Sequence, residues 1–244
     1  MTKTLSYKLD WKTGLRAGRA LMADPKDTRQ VFLVMQAMNT PANAKGYRKL
    51  LKTERGGAIA YQRRELAQSL NDPAYTAAFA PGTVGHAYRT MIDATGYSAG
   101  GLAEISNIKA REEDVQHPNE WYARRIRDVH DIWHVLTGYS PDEPLDESCL
   151  VAFSYAQTKG LGWAIIAVLS SLKGVSTKDG RRQIGAIWEA YRNGRKAAWL
   201  PSEDYEKLLA EPLDTARARL GIKAPTRYKA FRAEHPVPGY ALPA

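Results

Sequence analysis

The sequence predicts an all-α fold, a single multi-helix domain without a sheet. Alternating runs of β-branched residues bounded by turn residues, which mark strands, are almost absent. Apolar residues recur instead at the three- and four-residue spacings of helices, with capping residues in front of them. No internal repeat, low-complexity segment or flexible linker divides the 244 residues, so we expect one domain over 1–244.

Helix starts in the first half of the chain are marked by short polar side chains that cap backbone amides. Asp27 precedes a run with helical apolar spacing, and Asp72 is followed by Pro73, which suits the first helical position. Thr83 precedes a third such run. We expect residues 1–21 to form a peripheral N-terminal segment.

The second half begins with a helix that Asn119 is expected to cap and that ends at Gly138. Asp146 is the expected cap of the next helix, which runs to about Thr158. Further helices are expected over residues 161–172 and 179–196, and as two short pieces within 201–220. Residues 223–244 contain four prolines, and we expect a peripheral extended tail there.

Composition limits the function classes. The formal net charge of +9 favours anionic partners such as an anionic membrane surface, but the charges are spread and no nucleic-acid-binding motif is present, so we expect no nucleic-acid partner. Cys149 is the single cysteine, which favours a reducing compartment and a structural role for this thiol. We find no signal-peptide pattern and no apolar stretch of about 18 residues, as a membrane span would need.

Two of the five histidines, His130 and His134, are four residues apart in an apolar segment. On a helix this spacing puts both imidazoles on one face, where they can share a divalent cation. Asp131 could supply an oxygen from the side, and Glu147 begins the next apolar run. Such nitrogen and carboxylate ligands suit Zn²⁺ best, and also Fe, Co or Mn. The alternative is an ordinary histidine pair on a helix surface or in a satisfied core.

These residues, with other blocks in the same order, resemble the coenzyme Q biosynthesis protein 4 family. Its metal signature is His-Asp-x-x-His followed after about eleven residues by Glu. Residues 81–88, PGTVGHAY, are similar to the family's Pro-x-Gly-Ser/Thr-Leu-Gly-x-x-Tyr stretch. Gln157-Thr158 follows the Glu at the family's spacing, and residues 192–197, RNGRKA, are similar to its C-terminal Asn-Gly-Arg-x-Ala element. The resemblance spans about residues 22–222 and indicates a bacterial member of the family.

The loop before the Glu departs from the family, because residues 139–145 carry one extra residue. The step from Leu145 to Ser148, LDES, fits the family's Leu-Gly-Glu-Ala, and assigns the ligand to Glu147. Asp146 is the alternative ligand.

The resemblance implies a helical fold with an internal apolar cavity for a polyprenyl chain and a metal, usually taken as zinc, at His130, Asp131, His134 and Glu147. It implies a role in ubiquinone biosynthesis, as the enzyme that replaces the ring carboxyl of a polyprenyl-hydroxybenzoate intermediate by hydroxyl. This is an oxidative decarboxylation by a carbon–carbon lyase. Other ubiquinone biosynthesis proteins would be partners. The expected location is cytoplasmic, peripheral on the inner face of the cytoplasmic membrane.

Three residues are predicted to act in catalysis: Asp131, Glu147 and Arg127, which lies one helical turn before His130 and matches an Arg of the family. Arg127 could pair with a ligand carboxylate or with the substrate carboxyl, or form a plain surface ion pair. The residues predicted to bind lipid or substrate are His86, Met91, Ile92, Leu150, Phe153 and Tyr155. Each of these could equally be an ordinary packing residue.

Two other functions compete with this one. In the first, the protein is a non-catalytic scaffold that binds a polyprenyl lipid, and four protein ligands saturate a structural metal. In the second, it is a metal-dependent phosphohydrolase of the His-Asp-doublet type, with His86 or His117 as an earlier ligand; the histidine at position 134 does not fit that arrangement. A homodimer is plausible in either case, because helical proteins with a large apolar face often pair.

Overall fold

Helices make up most of the described part of this computed structural model, which comprises residues 8–24, 27–96, 117–141, 143–175 and 178–236. The helices are α1 (Trp11–Ala23), α2 (Thr28–Leu50), α3 (Gly56–Gln62), α4 (Leu66–Leu70), α5 (Pro73–Ala77), α6 (Val84–Thr95), α7 (Pro118–Asp128), α8 (His130–Thr137), α9 (Pro144–Thr158), α10 (Leu161–Val175), α11 (Gly180–Lys196), α12 (Tyr205–Leu208), α13 (Leu213–Arg219) and α14 (Thr226–Glu234), with a 3₁₀ turn at Leu200–Ser202. These residues contain no β-strand, only an isolated bridge between Thr83 and Pro212, so the predicted all-α fold is confirmed.

The centre of the molecule is the packing of α9 against α11 and α10. Gly194 permits the approach of α11, since a Cβ there would lie 2.7 Å from the backbone oxygen of Phe153 and 2.9 Å from the Cβ of Ala156. The buried Gln157 joins the two helices, because its amide nitrogen donates to the carbonyl oxygen of Gly194 at 2.7 Å and its amide oxygen accepts from the amide of Leu200 at 2.9 Å. One hydrophobic cluster runs from α1 to α14.

Most predicted caps are confirmed. Side-chain oxygens of Asp27, Asp72 and Thr83 each accept a hydrogen bond from a backbone amide in the first turn of α2, α5 and α6. Gly138 ends α8 in the left-handed conformation at φ 78°, which a glycine adopts without strain.

The N-terminal segment is more than peripheral. Residues 11–21 belong to α1, which packs against α2 and α10 and buries Ala17 and Leu21. Gly14 and Gly18 lower the helical propensity of this segment, but they also let it lie close to its neighbours, because a Cβ at Gly14 would meet the sulfur of Met38 at 2.6 Å. The prediction was wrong because packing outweighs propensity here.

The predicted extended tail is also wrong for Thr226–Glu234, which form α14. Pro225 stands at the cap position in front of the helix, where a missing amide hydrogen costs nothing, so it permits the helix. Tyr228 and Phe231 are buried, at 5% and 6% exposure, and this burial anchors the helix. The last three prolines follow the helix, and residues 237–244 lie outside the described part of the chain.

The single helix predicted from Asn119 to Gly138 is two helices. Its cap is His117, whose Nδ1 accepts a hydrogen bond from the amide of Asn119 at 3.2 Å, so the prediction of Asn119 as cap is wrong. The helix is interrupted at Val129, where the backbone is a turn with φ −87° and ψ −4°. The interruption makes His130 the first residue of α8.

α9 begins three residues earlier than a cap at Asp146 predicts. Glu143 is at the cap position without a capping side-chain hydrogen bond, and Pro144 takes the first helical position. Asp146, the predicted cap, therefore lies within the first turn, and its side chain has a different role. Among the helices described, none is both long and apolar enough to cross a membrane.

Candidate metal centre

The two histidines of α8 lie on one face of the helix, as their spacing predicts. Their ring centroids are 5.0 Å apart and the rings are nearly perpendicular, at 81°. His134 is fully buried, whereas the His130 side chain is 14% exposed. The pair therefore lies at the edge of the core, with His130 nearer to solvent.

Glu147, in the first turn of α9, brings a carboxylate to these rings. Its Oε1 is 3.1 Å from His134 Nε2, and its Oε2 is 3.9 Å from His130 Nε2. Ligand atoms of the three residues all lie within 4.8 Å of one another. Two ligands at about 2.0–2.1 Å from a tetrahedral zinc are about 3.3–3.4 Å apart. The observed spacings are close to this value, so the donor set fits a divalent cation.

The other nitrogen of each ring faces an oxygen, which lies at hydrogen-bond distance only for His134. His134 Nδ1 is 3.0 Å from the backbone oxygen of Tyr139, to which it donates when Nε2 faces Glu147. His130 Nδ1 is 3.6 Å from Asp131 Oδ1. Asp131 is outside the group of three converging residues, on the side of His130 away from Glu147. Carboxylates and carbonyls in these positions fix the tautomer and the basicity of metal-binding histidines.

Asp146, the alternative ligand, is directed elsewhere. Its side chain is 1% exposed and its Oδ1 accepts a hydrogen bond from Arg232 Nε of α14 at 2.8 Å. Burial raises the pKa of Asp146 to about 6, against the opposing effect of the Arg232 guanidinium. The structure thus brings Glu147, and not Asp146, to the histidines.

The charges of His134 and Glu147 are coupled. Burial disfavours a charged His134, but the Glu147 carboxylate outweighs it, and the pKa of His134 is raised. Burial likewise opposes ionisation of Glu147, but His134 and then His130 hold the pKa of this carboxyl below its usual value. The coupling favours a protonated His134 beside an ionised Glu147, so a divalent cation that binds here has to displace the proton of His134.

Two residues beside the histidines were not predicted from the sequence. The indole of Trp163, at the start of α10, stacks on His130 with ring centroids 5.5 Å apart and planes at 7°. Tyr88 of α6 is 1% exposed; burial raises the pKa of its phenol, and the nearby carboxylates of Asp131 and Asp128 raise it further. The only available signals were the Gly-x-Gly-Trp of residues 160–163 and the Tyr of residues 81–88, and neither points to the histidines by spacing.

Arg127 is engaged by its neighbour in the chain. Its Nε donates to Asp128 Oδ1 at 2.8 Å, and the two side chains are 12% and 1% exposed. Burial raises the pKa of Asp128, and Arg127 opposes this. Asp128 also accepts from the amide of Ala67, at 3.4 Å, so this ion pair helps to attach α4 to the end of α7.

The residues predicted to bind lipid are divided between core and surface. Met91, Leu150 and Phe153 are fully buried, whereas Ile92 and Tyr155 are partly buried and His86 is exposed. The amides at the start of α6 are already used by backbone oxygens of residues 209 and 211, so this helix start does not hold an anionic group. Two clefts, of about 180 and 500 Å³, are lined by other residues. The internal apolar cavity remains a prediction.

The site as a whole offers two imidazole nitrogens and one carboxylate, with the Glu147 side chain 43% exposed. Catalytic zinc sites commonly have three protein ligands, His₂Glu among them, and keep one position for water or substrate. Structural sites usually have four protein ligands. The three converging residues and the half-exposed carboxylate thus match the catalytic type.

Known proteins are similar to this chain over most of its length. The family model for coenzyme Q (ubiquinone) biosynthesis protein Coq4 matches residues 8–226. The mitochondrial ubiquinone biosynthesis protein COQ4 of Podospora anserina is 30% identical over 227 residues, which cover 91% of this chain and 72% of that protein. The mitochondrial coq-4 protein of Neurospora crassa is 29% identical over 225 residues, which cover 90% of this chain and 62% of that protein.

A crystal structure from Nostoc punctiforme PCC 73102, of a protein provisionally assigned to ubiquinone biosynthesis, has the same fold. It matches with a TM-score of 0.63 at 20% identity and covers 89% of this chain and 100% of that chain. The family match includes both histidines, Glu147 and the packing elements around Gln157 and Gly194. The chain belongs to the coenzyme Q (ubiquinone) biosynthesis protein Coq4 family.

Proposed function

We propose that this ubiquinone biosynthesis protein is a metal-dependent enzyme that replaces the ring carboxyl of a polyprenyl-hydroxybenzoate intermediate by hydroxyl. The observation that carries the proposal is the convergence of His130, His134 and Glu147, with a Glu147 side chain that is 43% exposed. Such a site can hold a cation and still be reached by a substrate. Zinc is the expected metal, with Fe, Co and Mn as the other candidates.

A bound divalent cation would act there as a Lewis acid that orients and polarises an oxygen anion of the substrate. His130, His134 and Glu147 would hold it, and Asp131 would orient His130 through its Nδ1. Two neutral imidazoles and the carboxylates of Asp131 and Glu147 balance a double positive charge. The substrate carboxylate would therefore meet a nearly neutral centre, from which CO₂ can leave more readily than from a strongly cationic one.

Replacing a ring carboxyl by hydroxyl releases CO₂ and removes two electrons from the ring carbon, so an oxidant is required. Molecular oxygen is the oxidant of this proposal: it takes up two electrons and two protons and leaves as hydrogen peroxide, while water supplies the hydroxyl oxygen. Arg127 lies three residues before His130, and we propose that its positive charge helps to position the substrate carboxyl. Because Asp128 already binds its guanidinium, Arg127 would be a positioning residue.

The prenyl chain is proposed to enter beside Ile92 of α6 or beside Tyr155 of α9, which are both partly buried against the hydrophobic cluster that contains Met91, Leu150 and Phe153. Side chains there would have to move apart to admit the chain, since the three core residues are at most 1% exposed. His86 is exposed and would act only at the entrance.

An anionic membrane surface is the proposed source of the substrate, reached through a surface that we call the α1–α10 surface. It consists of exposed apolar residues beside exposed cations, and α1 itself carries no acidic residue. Its apolar members are Trp11, Leu15, Met22, Val168 and Leu172, and its cations are Lys12, Arg16 and Arg19. Apolar residues flanked by cations suit an anionic lipid surface. On this basis we propose a peripheral position on the inner face of the cytoplasmic membrane, with other ubiquinone biosynthesis proteins as neighbours.

A non-catalytic scaffold that binds the polyprenyl lipid is the second candidate, and the placement of the ligands favours it, because His130 and His134 belong to α8 and Glu147 belongs to α9. In that case the metal would only join α8 to α9. The two functions predict different effects of losing one metal ligand: the enzyme loses CO₂ release, whereas the scaffold loses thermal stability.

The test compares wild type with Glu147→Ala and Asp131→Ala, and with Glu143→Gln as a control from the same loop. Metal content is measured on the purified proteins, bound lipid is extracted for mass spectrometry, and CO₂ release from a polyprenyl-hydroxybenzoate is followed in aerated buffer. We expect metal and CO₂ release in wild type and in Glu143→Gln, and loss of CO₂ release in both Ala variants. CO₂ release that survives Glu147→Ala would overturn the enzyme proposal. Reduced thermal stability without any wild-type activity would favour the scaffold.

A further inference from the structure

A cleft of about 180 Å³ lies between α11 and the start of α14, and none of the residues of the candidate metal centre line it. One face of α11 supplies most of its wall, and α14 supplies the rest. The wall includes Gly185, Trp188, Glu189, Arg192 and Lys196 of α11 and Arg227 of α14.

Three cations line this cleft without a carboxylate partner among the residues that the structure describes. Arg192, Lys196 and Arg227 form no ion pair within the part of the chain that is described. Elsewhere on the surface, arginines such as Arg182 and Arg219 are paired with glutamates at 2.7 and 2.9 Å. Three like charges around so small a volume repel one another unless an anion lies between them.

The one carboxylate of the cleft is already engaged. Glu189 Oε1 accepts from the hydroxyl of Thr226 at 2.6 Å, and Oε2 accepts from the backbone amide of Arg227 at 2.8 Å. Glu189 therefore occupies the N-terminus of α14, where a carboxylate is favoured by the helix dipole. The Glu189 carboxylate therefore stabilises the start of α14. Among the described residues, the three cations are left without a carboxylate that pairs with them.

The shape of the cleft depends on a glycine and an aromatic stack. A Cβ at Gly185 would lie 2.8 Å from Nη1 of Arg227, so the glycine leaves room for the guanidinium to lie against α11 in this position. Trp188 is 59% exposed, and its ring stacks on Tyr191 at 5.2 Å, which in turn stacks on Tyr155 at 5.9 Å. The stack holds an exposed indole at the wall of the cleft.

We propose that this cleft binds a phosphate group, either free phosphate or pyrophosphate or the phosphate of a lipid headgroup. Pockets for drug-sized ligands have volumes of about 300–1,000 Å³, so a cleft of about 180 Å³ suits a group of a few atoms. Two guanidinium groups offer forks that match phosphate oxygens, and Lys196 adds a point charge. A dianion balances these charges better than a carboxylate would.

The experiment titrates the full chain with sodium pyrophosphate at low salt, by calorimetry and by tryptophan fluorescence, in which Trp188 reports on the cleft. Lys196→Gln and Arg227→Gln remove cleft charges. Arg195→Gln is the matched control, because Arg195 is an exposed cation of the same helix that does not line the cleft. We expect saturable binding by wild type and the control, and affinity lowered about tenfold or more in each cleft variant, as for the loss of one charge-assisted hydrogen bond.

A second arm mixes the same four proteins with vesicles of phosphatidylcholine, with and without phosphatidic acid. Binding of free pyrophosphate supports a soluble phosphate as the ligand. Binding only to phosphatidic acid vesicles, with loss in Lys196→Gln and Arg227→Gln but not in Arg195→Gln, supports a headgroup. Equal behaviour of all four proteins in both arms, or no saturable binding by wild type in either, would overturn the proposal. Neither arm measures turnover, so the result is independent of the enzyme proposal.

Discussion

Each histidine of the candidate metal centre has one ring nitrogen directed to Glu147 and the other directed to an oxygen. For His134 that oxygen is the backbone carbonyl of Tyr139, and for His130 it is the carboxylate of Asp131. Asp131 can therefore contribute by orienting a ligand as well as by binding a metal. The two roles differ in magnitude, so a measurement can separate them.

The first prediction concerns Asp131→Asn. If Asp131 orients His130, metal affinity should fall about 10- to 100-fold, the usual effect of losing such a partner. Competition with a chelator of known affinity measures this. Asp93→Asn, at an exposed position on α6, is the control. Complete loss of metal, as expected for Glu147→Gln, would instead make Asp131 a ligand, and an unchanged affinity would exclude both roles.

The second prediction concerns Arg127→Ala. Asp128 is 4% exposed and would lose its counter-charge, so the free energy of unfolding should fall by about 3 kcal/mol, as for other broken buried pairs. If Arg127 also positions charge for the reaction, turnover per folded molecule should fall as well, and Arg127→Lys should restore part of both. Urea unfolding and single-turnover assays measure the two effects. If Arg127→Ala keeps full turnover per folded molecule, Arg127 has no role in the reaction.

At the scale of helices, α14 contacts and stabilises the loop that joins α8 to α9. The hydroxyl of Tyr228 accepts a hydrogen bond from the amide of Ser140 at 3.0 Å, and the Tyr228 ring packs edge-on against Tyr139 at 5.1 Å. Further along α14, Arg232 holds Asp146, next to Glu147. The helix thus fixes both the carbonyl that orients His134 and the turn that carries Glu147.

The third prediction is that the ion pair between Asp146 and Arg232 of α14 affects metal affinity. Asp146→Asn and Arg232→Gln should each lower the free energy of unfolding by about 2–3 kcal/mol, because each leaves a largely buried partner unpaired. The double variant should be more stable than the sum of the two losses implies. Metal affinity should also fall, although neither residue is a proposed ligand. If the two losses in the free energy of unfolding simply add and metal affinity is unchanged, α14 does not stabilise the metal centre.

At the scale of the whole molecule, positive charge and exposed apolar residues coincide on the α1–α10 surface. α1 packs against α10, where a Cβ at Gly18 would be 3.7 Å from a side-chain carbon of Leu169, and both helices carry exposed apolar residues. Trp11 and Leu15 are 53% and 59% exposed, which is unusual for residues of this size. Either a lipid surface or a second copy of the chain could cover them.

The fourth prediction addresses this surface. The protein should float with vesicles that contain phosphatidylglycerol, and less so at high salt, because the cations of α1 contribute through screened attraction. Trp11→Ser with Leu15→Ser should reduce flotation, whereas Tyr61→Ser, at a site 89% exposed on α3, should not. Equal flotation of all variants would exclude this surface. No flotation, with a dimer in solution that the Trp11 and Leu15 changes dissociate, would assign it to a homodimer.

Local features were predictable from the sequence because their causes lie within a few residues. The helical class follows from apolar spacing, and Asp27, Asp72 and Thr83 cap helices through amides that lie two or three residues away. The convergence of His130 and His134 follows from one turn of helix. Family membership follows from blocks that can be compared without any coordinates.

Features that depend on distant parts of the chain were decided only by the tertiary structure. Glu147, and not its neighbour Asp146, meets the histidines because Arg232, far along the chain, holds Asp146 in a buried ion pair. Trp163 covers His130 because α10 packs beside α9. α1 is a helix despite its two glycines, and α14 is anchored by the burial of Tyr228 and Phe231, because packing against the core adds to local preference. Sequence sets what each segment can form, and long-range packing selects which side chains meet.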